Sequence, residues 1–200
     1  MAKLPADYTL RFATPLDIPA LIAADRAASE LFRPTGLIPD MATIPESIPA
    51  DIMTEAIEQG MVLAVADAAG AVGFAMARLQ DKTLYLDQVS VDPAHGRKGL
   101  GKALVQELFV LADEHRCNVV ALSTFREVAW NGPFYRRLGF KEVPRRQMSD
   151  WMLAIEAAQA ETLDVSARCF MQKPVRRPLL SKRKSNLEQM TNPLDDGTPS

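Results

Sequence analysis

Apolar positions along this chain change their spacing repeatedly, and each change marks an element boundary. Residues 8–12 read as a short strand stopped by Thr14-Pro15, with Thr14 placed to cap a helix beginning at Pro15. In that helix Ile18, Leu21, Ile22 and Ala28 recur at helical spacing. Pro34, Gly36 and Pro39 then break the chain into a loop. Residues 47–59 predict a second amphipathic helix, ended by Gly60 just past its cap. Two apolar runs, 61–66 and 71–79, flank Asp67-Ala68-Ala69-Gly70, which signals a hairpin, and 83–91 adds a third strand.

The second half changes rhythm. A helix is expected over 99–115, a strand over 118–124, a short helix over 133–138 closed by Gly139, and an extended piece over 140–144. Residues 151–160 read as a further helix and 166–172 as a last strand. Strands that come first as a meander and then alternate with helices give an α/β (α+β) class with a mixed sheet. From Lys173 onward Pro, Arg, Lys, Ser and Asp dominate. The expectation is therefore one domain over 1–172 and a disordered tail over 173–200. The basic stretch at Arg176-Arg177 and Lys182-Arg183-Lys184 reads as a solvated terminus.

Composition narrows the classes. Two hundred residues, 48% apolar and 24% charged, suit a single globular domain that needs neither disulfide nor metal to hold its core. A net charge of −2 gives no general pull toward nucleic acid or anionic membrane. Cys117 and Cys169 sit in apolar, strand-like sequence and read as buried thiols. His95 and His115 form no ligand-spaced cluster with them, so no metal is expected. Without a signal core or an apolar run of membrane-spanning length, the expected setting is the reducing cytoplasm.

Candidate chemistry concentrates in Val89-Ser90-Val91-Asp92-Pro93-Ala94-His95-Gly96-Arg97-Lys98-Gly99-Leu100-Gly101-Lys102. A β-rich run ends at Asp92-Pro93, a glycine-punctuated loop follows, and an apolar helix starts at once. Gly99 and Gly101 permit close backbone approach. Amides at a helix start lack partners and that end is positive, which makes an anion site suited to a pyrophosphate. Arg97, Lys98 and Lys102 add charge there. A dinucleotide fingerprint does not fit, because the order is Gly96-x-x-Gly99-x-Gly101. A Mg²⁺–nucleotide loop would match Gly96, Gly101 and Lys102, but Ala103 lacks the hydroxyl that would hold the metal.

The segment 86–104 resembles the signature motif of the GNAT superfamily of N-acetyltransferases, Gln/Arg-x-x-Gly-x-Gly/Ala after a strand. Gly96 stands at the Gln/Arg position, with Gly99 and Gly101 in register. Trp130-Asn131-Gly132-Pro133-Phe134-Tyr135-Arg136-Arg137-Leu138-Gly139-Phe140 is similar to the family's second motif, an aromatic-Tyr pair on a short helix ending in Leu-Gly-Phe. In correct order, the two span the resemblance over residues 8–172.

The resemblance implies a mostly antiparallel central sheet flanked by helices and an enzyme that moves an acetyl group from acetyl-CoA to a primary amine. It lays the pantetheine arm along the backbone of Val89, Ser90 and Val91. The pyrophosphate falls on the amides of Arg97, Lys98, Gly99, Leu100, Gly101 and Lys102, and Tyr135 becomes the acid that protonates the departing thiolate. Many relatives carry an asparagine where this chain has Val128. Asn131 is then either a helix cap, the preferred reading, or a cofactor contact. Ser123 takes the place of a strand glutamate found in some relatives. Asp87 is the candidate general base, on the reasoning that it shares side-chain parity with Val89 and Val91. The acceptor would be held by segments 29–52 and 145–163, and homodimers are frequent in the family. A CoA-binding module without catalysis is the rival, suggested by Ser123 and Gly96.

Overall fold

Alternating side chains along the strands sort the molecule into a sheet with two covered faces. The computed structural model describes residues 4–38 and 47–176. Its elements run β1 (Thr9–Phe12), α1 (Ile18–Ser29), α2 (Ala50–Glu58), β2 (Val62–Asp67), β3 (Gly70–Gln80), β4 (Thr83–Val91), α3 (Leu100–Glu114), β5 (Val119–Phe125), α4 (Gly132–Arg137), β6 (Lys141–Glu142), α5 (Asp150–Ala160) and β7 (Arg168–Pro174). The seven strands lie in the order β1-β2-β3-β4-β5-β7-β6. Every neighbouring pair is antiparallel except β4–β5, which is parallel. This is the mixed sheet that the pattern of elements predicts, mostly antiparallel as the resemblance implies.

On β2, Leu63 and Val65 join the cluster under α3, whereas Val62 and Ala64 join the cluster under α1 and α2. The period of two on a strand requires this division. Leu104 and Leu108 of α3 are wholly buried against Leu84, Leu86, Val120 and Leu122. Each such leucine contributes roughly 1.5–3 kcal/mol relative to exposure. A third cluster gathers Tyr85, Ala121 and Phe170 beneath α5, with Met152 and Val143. Cys117 and Cys169 are both buried, as expected.

The ends of elements differ from the sequence reading in instructive ways. Pro15–Asp17 forms a separate 3-10 turn before α1. Asp17 Oδ2 takes both the backbone N–H and the hydroxyl of Thr14, at 2.8 and 2.9 Å, while Arg11 grips the same carboxylate at 2.7 and 2.8 Å. Lys173 and Pro174, assigned to the tail by composition, extend β7 opposite Val120 and Val119. Lys173 Nζ also donates to Leu138 O at 2.6 Å. Backbone pairing there outweighs polar composition. Pro39 and residues 177–200 lie outside the described residues.

Candidate functional site

The parallel pair β4–β5 is in register from Thr83↔Val119 to Leu86↔Leu122 and goes no further. Beyond that point β4 continues to Val91 along β3, and β5 continues to Phe125 along β7. The sheet therefore splits in its middle. Asp92 N–H bonds Val72 O on the β3 side. Antiparallel alternation then turns the N–H and C=O of Val91 and Val89 toward the split. These are strand groups without a strand partner on that side, and an extended amide chain is what they can bind.

Just past the end of β4, the chain folds back through Pro93–His95 and enters α3. Asp92 Oδ1 caps this turn by accepting from Ala94 N–H at 2.8 Å. Gly99 caps α3 with φ of 81°, a left-handed conformation that suits glycine, and Arg97 also has a positive φ of 58°. The first backbone bond of α3 runs from Ala103 N–H to Gly99 O. The amides of Arg97 through Lys102 thus find no backbone acceptor among the described residues, and the positive end of a 15-residue helix lies behind them. A β-carbon on Gly101 would stand 4.0 Å from both Val91 Cγ2 and Phe134 Cζ, so this glycine lies where the split, α3 and α4 converge.

One brace of this loop escaped the sequence reading. Lys98 Nζ donates to the Tyr8 hydroxyl at 2.7 Å, and that oxygen lies 2.9 Å from His95 Nδ1. Asp67 Oδ2 stands 3.7 Å from the same imidazole nitrogen. Tyr8, the residue just before β1, thereby ties the turn at His95 to Lys98 in the glycine loop.

Across the split, α4 begins at Gly132, whose missing side chain is obligatory: a β-carbon would fall 2.1 Å from Arg126 O. Asn131 holds the N-cap position of this helix, its carbonyl accepting from Tyr135 N–H at 3.0 Å, but its side chain makes no capping bond, which corrects the preferred sequence reading in that respect. Its backbone, at φ −118° and ψ −111°, accompanies a side chain turned to β5, where Oδ1 accepts from the Thr124 hydroxyl at 2.6 Å. The Nδ2 group is buried with no partner among the described residues, and an unmet buried donor costs about 1–3 kcal/mol. That donor is well suited to a ligand carbonyl. Tyr135 is buried between Phe134 and Phe140, with ring centroids at 5.1 and 5.6 Å. Its hydroxyl makes no hydrogen bond among the described residues, and burial pushes its pKa up, so at neutral pH it keeps its proton.

Asp87 needs a second correction. The register between β3 and β4 slips from Met76↔Gln88 to Ala77↔Leu86, which leaves Asp87 as the extra residue of a bulge. Parity breaks there: Leu84 and Leu86 belong with Val89 and Val91 on the α3 face. Asp87 lies instead on the opposite side, in a cleft of about 420 Å³ lined also by Ile48, Ile52, Glu55, Met76 and Arg78. Oδ1 accepts from Arg78 Nη1 at 2.6 Å. Burial pushes the carboxyl up to about 6, and Arg78 pulls in the other direction without cancelling it.

Ser90 is reached only through its backbone, because its buried hydroxyl donates to Asp25 Oδ1 at 2.6 Å. Gln88 Nε2 gives to the same oxygen at 2.9 Å, and Ile48 N–H gives to Oδ2 at 3.0 Å. Asp25 thus ties α1, the segment entering α2 and the open half of β4 together. A carboxylate four residues after Leu21, on the buried stripe of α1, was the signal for it.

Comparison with known proteins agrees with this geometry. The family model described as acetyltransferase (GNAT) family matches residues 29–140. Among solved structures, the PaiA N-acetyltransferase of Thermoplasma acidophilum, in complex with coenzyme A, superposes with a TM-score of 0.66 at 16% identity, covering 84% of this chain and 98% of that one. A ribosomal-protein-alanine N-acetyltransferase of Brucella melitensis gives 0.59 at 22%, covering 83% and 99%. A GNAT-family acetyltransferase of Listeria monocytogenes gives 0.59 at 17%, covering 84% and 94%. At such identities the superpositions speak for the fold, and the family match spans more than half of the chain. With the split sheet, the glycine-capped α3 and the tyrosine helix in place, the chain belongs to the GNAT family of acetyltransferases.

Proposed function

We propose that this acetyltransferase moves the acetyl group of acetyl-CoA to a primary amine, by direct attack of the amine on the thioester with both substrates bound. The observation that carries the reading is the opening of β4 from β5 directly above the uncapped amides of α3. The Thermoplasma neighbour holds coenzyme A, and the residues present here fit the same ligand. Arg97–Lys102 amides face a pyrophosphate, Val89 and Val91 offer strand groups to the pantetheine amides, and Asn131 Nδ2 is an unmet donor for a carbonyl.

Asp87 takes a proton from the acceptor ammonium, which frees the nitrogen lone pair for attack. Oδ1 is held by Arg78, and Oδ2, which has no hydrogen bond among the described residues, is the receiving oxygen. With its pKa near 6, the group is ionised at neutral pH yet basic enough to help. As the new C–N bond forms and the C–S bond breaks, Tyr135 gives its proton to the sulfur, and the second proton that the nitrogen sheds passes to solvent, from which Tyr135 regains its own. Acid or base assistance of this kind is worth about 10²–10⁴ in rate, and holding both reactants in one cleft contributes as well. The cleft carboxylate argues against a catalytically silent CoA module. The acceptor is a small molecule or a protein amine. The reading needs no nucleic acid, membrane or metal, and a cytoplasmic homodimer fits it.

Calorimetric titration with acetyl-CoA, beside ATP with Mg²⁺, tests the cofactor, followed by an amine panel read by thiol release. Acetyl-CoA binding with silence for ATP, then amine-dependent thiol release, is the expected result. ATP binding alone would overturn the reading, and CoA binding without thiol release would support the silent module.

A further inference from the structure

Two arginines lie on the Asp87 side of the sheet, in different electrostatic situations. Arg78 is about half-exposed and engages Asp87. Arg168, the first residue of β7, is largely removed from water and has no carboxylate partner among the described residues. Its Nε donates to Gln159 Oε1 at 3.0 Å and its Nη2 to Ser123 Oγ at 3.2 Å. The Ser123 hydroxyl itself donates to Gln159 Oε1 at 2.9 Å, which closes a ring of neutral groups around one edge of the guanidinium. The Phe125 ring covers a face of it at 4.7 Å.

A guanidinium has five N–H donors, and among the described residues only two of Arg168's are engaged. The free end, Nη1 with the second hydrogen of Nη2, is the fork that pairs with a carboxylate through two parallel hydrogen bonds. A desolvated cation without a counter-charge is costly unless something completes it. Its place in the fold says what. Ser123 directly follows Leu122, the last β5 residue paired with β4, and Asp87 directly follows Leu86 on the facing wall. Tyr85 lies among all of them, feeling the charges of Asp87, Arg78 and Arg168 together.

We infer that Arg168, held by Gln159 and Ser123, binds a carboxylate of the acceptor, so that the acceptor is an amine of the amino-acid class. This rests on the amine-acetyltransferase reading above and specifies its substrate. The amine lies toward Asp87 and the carboxylate toward β7, across the mouth of the split.

The test uses the full chain saturated with CoA and needs no turnover. It is titrated calorimetrically with N-acetylated α-, β- and γ-amino acids and with their uncharged amides. In wild type the best acid binds about tenfold or more tighter than its amide, in keeping with a charge-assisted pair. Arg168→Gln removes that difference by weakening only the acid, and Arg168→Lys restores part of it. Equal binding of acid and amide, binding of neither, or an acid preference that survives Arg168→Gln overturns the inference. If Arg168→Gln fails to fold, the wild-type ratio and Arg168→Lys still decide. A wild type that takes up CoA but shows no acid preference fails only this inference. One that takes up no CoA fails the acetyltransferase reading as well.

Discussion

The two halves of the β4–β5 pair are built from the same strands and do opposite things. In the closed half, Leu84, Tyr85 and Leu86 face Val120, Ala121 and Leu122, all buried and all serving the core. In the open half, β4 carries Asp87, Gln88 and Ser90, and β5 carries Ser123 and Thr124, each hydrogen-bonded to a side chain elsewhere. The bulge at Asp87 sits at the boundary. Pairing in one half supplies stability, and forgoing it in the other exposes backbone groups and polar side chains for chemistry. A strand can serve both ends only if its parity changes between them, which is what the extra residue accomplishes.

The largest expected effect comes from breaking the open half chemically. Asp87→Asn should lower kcat by about 10²–10⁴, and Tyr135→Phe should fall in the same range. If Asp87 is the base, as proposed, wild-type kcat/KM should rise as pH climbs through about 6, where its carboxyl ionises; a flat profile in wild type would remove the base assignment. The same shift has a stability counterpart of fixed sign. Asp87 moves from 3.8 to about 6 on folding, so its contribution is fully present below the lower value and is lost as pH rises through the upper one. Denaturant midpoints of Asp87→Asn should lack that component.

Breaking the closed half should do the reverse. Leu122→Ala, at a wholly buried position, is expected to lose about 2–5 kcal/mol of unfolding free energy while folded molecules keep near-normal kcat. Urea unfolding beside turnover at low temperature separates the two. A smaller effect should follow from Asn131→Ala. Acetyl-CoA should bind roughly tenfold more weakly with the melting temperature scarcely changed, since loss of the Thr124 bond is offset by removal of an unmet buried donor. A fall in melting temperature with unchanged affinity would return Asn131 to a structural role. Smallest is Tyr8→Phe, which frees Lys98 and should weaken CoA about fivefold. Acetyl-pantetheine, which lacks the pyrophosphate, should bind as before; an equal loss for both ligands would mean that Tyr8 merely supports the fold.

Much of the fold was legible because its signals are local. Gly60, Gly99 and Gly139 each take positive φ at a helix end, as their positions beside apolar helical runs suggested. The hairpin turn closes where Asp67 Oδ1 accepts Ala69 N–H at 2.8 Å. Asp87 and Asn131 were placed in the right neighbourhood but turned the wrong way. Their orientation depends on the register with β3 and on the contact of Gly132 with Arg126, neither of which is written in adjacent residues.

By itself, then, the sequence determined the order of strands and helices, the glycine-capped start of α3 and the tyrosine on α4, because dihedral preference and hydrophobic period act over a few residues. Only the tertiary structure decided where β4 leaves β5 and which face Asp87 takes. It alone joined Asp25 to Ser90 across 65 residues, Ser123 to Arg168 across 45 and Tyr8 to Lys98 across 90. Those contacts form when a sheet of seven strands brings distant segments within hydrogen-bond reach, and buried polar groups, costly to leave unpaired, then choose partners by proximity in space rather than along the chain.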